Sequence, residues 1–150
     1  MSDLNVTIRK MTVSDAPQVA CLERRAFSQP WPEAEFVKAA QADNYIYLIA
    51  EHENQIIGYA GCVIAADEAD ITNIAVDDGA RRLGIGTKLL RSLTEMTAAR
   101  GVASIFLEVR QSNGPAQNLY FKTGFKKIGI RKNFYQKPNE DAILMAKKLH

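Results

Sequence analysis

The chain has 150 residues, 47% of them hydrophobic, enough for one domain (residues 1–150) with a proper core and no need of covalent staples. A formal charge of +2 is too near neutral to argue for nucleic acid by bulk electrostatics, and no segment is long and apolar enough to span a bilayer. Cys21 and Cys62 lack metal-ligand spacing and His52 and His150 stand far apart, so no metal is expected; unpaired-looking thiols suit a reducing compartment, although one bridge stays open.

The N-terminal MSDLNVTIRKM has no charged-then-apolar leader layout, which points to a cytoplasmic protein. Within it, NVTIRKM alternates like an opening strand. Thr12 or Ser14 can cap a helix with Val19, Leu22 and Ala26 on one face. Two prolines in SQPWPEAEF break that helix, and Pro32 can start a second one reaching about Ala42. YIYLIAE and IIGYAGCVIA, joined by HENQ, read as a hairpin, and ADITNIAV as the next strand. A helix with Ile85, Leu89, Leu93 and Met96 at helical spacing follows. SIFLEV is a short buried strand, GPAQNLYFKT a helix, and FKKIGI and AILMAK the closing strands. The order β-α-α-β-β-β-α-β-α-β-β predicts an α/β protein with a mixed sheet covered by helices. Lys122, Lys126, Lys127, Arg131, Lys132 and Lys137 gather late; a solvated face accounts for them better than a phosphate surface, so neither nucleic acid nor membrane is expected as a partner.

The most informative stretch is DDGARRLGIGTKLLRSL, Asp77–Leu93. It is no Walker loop: Gly79 and Gly84 have the spacing, but Ile85 follows and Thr87-Lys88 is reversed. Nor is it a dinucleotide fingerprint, since the third glycine falls at Leu89. What remains is a strand, Arg81-x-x-Gly84-x-Gly86, and a long helix. Glycines there let backbone come close to a ligand, and amides at the positive end of a helix make a seat for pyrophosphate. A tight strand-to-helix turn with nothing bound is the competing reading.

Arg81-Arg82-Leu83-Gly84-Ile85-Gly86 after TNIAV matches [QR]-x-x-G-x-[GA], and with it the chain resembles the GNAT family of N-acetyltransferases over nearly its whole length. The resemblance implies a mixed, mostly antiparallel, splayed sheet of about seven strands flanked by about four helices, with acetyl-CoA as co-substrate. It also implies that Arg81, Arg82, Leu83, Gly84, Ile85, Gly86 and Thr87 hold the pyrophosphate. The backbone of Ile74, Ala75 and Val76 would bond the pantetheine arm, a form of strand addition.

Moving acetyl from a thioester to an amine needs a proton acceptor and a proton donor. Glu108 is a carboxylate inside the apolar SIFLEVR, and burial there would raise its pKa toward neutrality. The alternatives are an exposed face or a pair with Arg110. Tyr120 can protonate a thiolate, or simply belong to the core. LEVRQSNGPAQNLYFKTGF resembles the family's LEVR-x-x-N-x-x-A-x-x-LY-x-x-x-GF block. Carried over, Glu108 is the general base, through water, Tyr120 the general acid, and Asn113 a ligand of the CoA arm.

FSQPWPEAEF and RKNFYQKPNEDAILMAK further resemble the RimI-type branch of that family. That likeness implies an acceptor that is the N-terminal alanine of a small-subunit ribosomal protein, entering a groove lined by Phe27, Trp31 and Tyr135; other protein N-termini, lysines or a small amine are the alternative. Plain packing is the competing role for each of the three aromatics. Phe134-Tyr135 departs from the branch's paired tyrosines, which removes the first hydroxyl, and Asp78-Gly79 replaces a commoner proline turn.

Overall fold

A computed structural model describes residues 5–81 and 83–149. The predicted order holds throughout: β1 (Thr7–Lys10), α1 (Ala16–Ala26), α2 (Glu33–Gln41), β2 (Tyr45–His52), β3 (Gln55–Ala65), β4 (Glu68–Val76), α3 (Ile85–Ala99), β5 (Ser104–Arg110), α4 (Gly114–Lys122), β6 (Lys126–Tyr135) and β7 (Glu140–Lys148). Short 3-10 turns at Val13–Asp15 and Asp78–Ala80 precede α1 and α3. The seven strands form one sheet in the order β1-β2-β3-β4-β5-β7-β6. Every pairing is antiparallel except β4 with β5.

Both faces of the central strands are covered, which is why they read as apolar runs rather than clean alternations. From β2, Ile46, Leu48 and Ala50 join Leu89, Leu93, Leu107, Phe125 and Met145 in the core under α3 and α4. Tyr47 and Ile49 join Val19, Leu22, Phe36 and Tyr59 under α1 and α2. Ala26, expected on the buried face of α1, is exposed: it sits in the last turn, where the chain leaves the sheet. Thr12 caps the 3-10 turn rather than α1, its amide bonded to the Asp15 carboxylate at 2.7 Å. Arg9 grips that carboxylate at 2.8 and 2.9 Å, tying β1 to the start of α1 and holding the Asp15 carboxyl below its ordinary range.

One irregularity shapes the middle of the sheet. Gly61 pairs with Asn73 and Cys62 with Ile71, so Thr72 is an extra residue, a bulge in β4. Gly61 has no side chain, and the Tyr47 ring lies across it; a Cβ there would stand 2.3 Å from ring atoms. That passage lets the Tyr47 hydroxyl reach Thr72 Oγ1, at 2.6 Å, and donate to Asn73 Oδ1 on β4. Gly61→Ala is expected to cost about 2–3 kcal/mol by overpacking a buried ring that two partners hold. Thermal melts should show it as a fall of roughly 5–10 °C, and Tyr47→Ala in the same chain should relieve part of it.

Candidate active site

β4 and β5 are paired only at their starts, Glu68, Ala69 and Asp70 against Ser104, Ile105 and Phe106. Beyond that β5 stays with β7 to its end, β4 stays with β3, and the two strands part. The rest of β4 therefore has an open backbone edge. Antiparallel neighbours alternate between residues that bond their partner and residues that face away. Asp77 N–H donates to Ile57 C=O at 2.8 Å, so Ala75, two residues back, also bonds β3. The amides and carbonyls of Ile74 and Val76 face the opening, which separates them from Ala75 in the expected trio.

The glycine turn lies just past that edge. Gly84 is the N-cap of the 15-residue α3, in the left-handed region with φ +77°, and no side chain caps the helix. The first bond of the helix runs from Lys88 N–H to Gly84 C=O at 3.1 Å, leaving the amides of Ile85, Gly86 and Thr87 without helical acceptors. The two glycines serve different ends. Gly84 supplies the positive φ, and a Cβ there would meet nothing within 4 Å. A Cβ on Gly86 would stand 3.0 Å from the Leu119 side chain, so its absence lets α3 and α4 pack closely. Leu83 packs against the core under α3. Arg81 pairs with Asp78 at 3.1 Å on the surface; Arg82 lies outside the described residues. Asn113 is occupied as the N-cap of α4, its Oδ1 accepting from Ala116 N–H at 3.1 Å.

On the α1–α2 face of the sheet, a groove of about 390 Å³ brings together Trp31, Asp70, Thr72, Glu108, Phe134 and Tyr135. Glu108 does not pair with Arg110, which binds Glu140 at 3.1 Å and stacks 4.5 Å over the Tyr135 ring. It faces Arg131 at 3.9 Å instead, with its side chain 32% exposed. Partial burial raises the Glu108 carboxyl above its ordinary range; Arg131 pulls it down and Asp70 pushes it up. Burial and then Glu108 push the Tyr135 phenol up to about 12. Tyr120 is buried on α4 with its ring 5.8 Å from Phe125, and its own phenol is raised by burial and then by Tyr135. Phe27, 41% exposed at the end of α1, is not among the residues lining the groove.

A model of the acetyltransferase (GNAT) family matches residues 16–125. The chain belongs to the GNAT family. A ribosomal protein bS18-alanine N-acetyltransferase of Escherichia coli strain K12 is 37% identical over 142 residues, covering 93% of this chain and 95% of that one. A protein of the same name from Haemophilus ducreyi is 39% identical over 128 residues, 83% and 88% of the two chains. The crystal structure of the Escherichia coli ribosomal-protein-S18-alanine N-acetyltransferase superposes with a TM-score of 0.87 at 36% identity, over 95% and 93%. Ard1 from Thermoplasma volcanium, at 22% identity and a TM-score of 0.88, shares the fold.

This GNAT chain is thus an acetyltransferase, and its family uses acetyl-CoA as co-substrate. Two features fit that group: a strand edge with unanswered amides and a helix start with no cap.

Glu23, absent from the candidates the sequence offers, also shapes the site. It lies one residue past Leu22 on the buried side of α1 and is itself only 2% exposed. Its Oε2 accepts from Asn73 Nδ2 at 2.9 Å and from the Trp31 amide at 3.0 Å, while Oε1 accepts from the Tyr59 hydroxyl. A carboxylate so placed fastens the loop carrying Trp31 to the bulged strand. Its signal was an acid in register with Val19 (i, i+4) on an otherwise apolar stripe. Asp70 and Phe134 were also missed as groove residues; nothing local in ADIT or NFYQ marks which way a side chain faces.

Glu108 must be ionised to accept a proton, so a raised carboxyl places the acid limb of kcat/KM above the ordinary glutamate range. Arg131→Gln removes the charge that lowers it and should move that limb to higher pH; Asp70→Asn should move it to lower pH. Rate–pH profiles of the two variants beside the parent check both signs.

Proposed function

We propose that the chain transfers acetyl from acetyl-CoA to the α-amine of a protein N-terminus, and that the acceptor is a small-subunit ribosomal protein with alanine first. The observation that carries this reading is the parting of β4 from β5, with a free strand edge on one side and the half-buried Glu108 on the other. The relatives named for bS18-alanine acetylation match nearly end to end, which supports the choice of acceptor. The reaction then belongs in the cytoplasm, with the ribosomal proteins.

The thioester supplies an activated acyl group; the chain supplies position and protons. The amides of Ile74 and Val76 bond the pantetheine arm, and those of Ile85, Gly86 and Thr87 face the pyrophosphate at the positive end of α3. Arg81, Leu83 and Gly84 complete that turn, Arg82 is assigned to the same pyrophosphate from the sequence pattern alone, and the Nδ2 of Asn113 remains for the CoA arm. Glu108 takes the proton from the attacking amine through water. As the C–N bond forms and the C–S bond breaks, Tyr120 returns a proton to the thiolate sulfur. Trp31 and Tyr135 wall the entry of the acceptor.

Magnitudes favour an α-amine. With a pKa about 8 it is roughly a quarter neutral near pH 7.5, whereas a lysine at about 10.4 is neutral on the order of one time in a thousand. A relayed carboxylate suffices for the first and is hard pressed by the second.

Intact-mass and fragment analysis of a small-subunit ribosomal protein incubated with enzyme and acetyl-CoA should place one acetyl group on the first residue. Label confined to lysine side chains would overturn the reading. Glu108→Gln should keep acetyl-CoA affinity within about twofold in a direct titration while turnover falls about 10²-fold or more; unchanged turnover would remove Glu108 from its role.

A further inference from the structure

The groove carries two carboxylates, Asp70 and Glu108, among the rings of Trp31, Phe134 and Tyr135. Arg131 stands 3.9 Å from Glu108. Asp70 is exposed and has no ion-pair partner among the described residues. Its place in the fold fixes which way it looks. It pairs with Val63 on β3 and with Phe106 on β5, and Glu108 follows Phe106 by two residues. Cross-strand partners and residues two apart share a face, so Asp70 and Glu108 look out on the same side. From strand spacings alone their Cα atoms are roughly 8 Å apart, or somewhat more as the strands part. The electrostatic push of Asp70 on Glu108 agrees with that proximity.

We propose that Asp70 selects acceptors by holding a cationic side chain at the second or third residue of the incoming N-terminus. The proposal rests on the N-terminal acceptor reading and deepens it. An amine delivered to Glu108 by an extended peptide, advancing about 3.3 Å per residue, brings the next one or two side chains within reach of Asp70. The surrounding rings suit the apolar stem and planar head of an arginine better than an anionic or small polar group. Charge bookkeeping agrees: Arg131 balances one carboxylate, and the acceptor's own cation balances the other.

Short peptides beginning with alanine test this, with arginine, its neutral isostere citrulline, or glutamate at positions two and three and no lysine anywhere. At saturating acetyl-CoA and a pH above the acid limb, kcat/KM for the arginine peptide should exceed that for citrulline about three- to fivefold at low salt. The advantage should shrink at high salt, because the pair is screened. Asp70→Asn should bring the ratio close to one, and Asp70→Lys should turn the preference toward glutamate. An arginine preference that persists in Asp70→Asn, or equal rates for all peptides with the unaltered enzyme, would overturn the assignment while leaving N-terminal acetylation intact. Failure to acetylate the first residue of any of these peptides would bring down both readings.

Discussion

The parting of β4 from β5 after three paired residues is the constraint on which the rest of this molecule depends. A sheet that stayed paired would bury the backbone groups of Ile74 and Val76 in hydrogen bonds and leave no seam for a ligand. Each strand can afford to part because its other neighbour holds it: β3 along the whole of β4, β7 along the whole of β5. The bulge at Thr72 adds twist to β4 where the separation begins. Both halves of the proposed chemistry inherit their position from that geometry, the uncapped start of α3 on one side and Glu108 on the other.

An opening in a sheet must be kept from closing or wandering, and the α1–α2 face supplies the fastening. Glu23, Asn73, Tyr47 and Tyr59 form a hydrogen-bonded cluster spanning α1, β4, β2 and β3, with the Trp31 amide attached. Fully satisfied polar clusters in a low-dielectric interior fix one arrangement among several compact ones. The loop that walls the groove and the strand edge that would take the arm are therefore parts of one rigid piece.

What could be read from the sequence was whatever local chemistry signals. The apolar stripe of α3, the proline break before α2, and the glycines at 84 and 86 each act over a few residues, so their pattern survives in the linear order. Glu108 stood out because a carboxylate in SIFLEVR contradicts its neighbours. Register and facing were not legible. That Thr72 bulges, that Asp70 shares a face with Glu108, and that Tyr47 lies over Gly61 all follow from which residues meet across strands far apart in sequence. Gly86 shows the same boundary from the other side. A glycine beside a proposed pyrophosphate seat suggests ligand approach, yet the Leu119 side chain across the helix pair is already reason enough for it.

Several of the late basic residues lie along the outer border of the sheet. β6 closes the order of strands, ten residues long and largely exposed, with Ile128 and Ile130 open to water. Such a border invites a second molecule to add itself strand against strand. Lys126, Lys127 and Lys132 lie along it beside Arg131, which faces Glu108, so a like border brought alongside would meet three further positive charges with three of its own. Repulsion of that kind disfavours strand-to-strand stacking of two copies along this rim, and the opposite rim, the four-residue β1, offers little length for it.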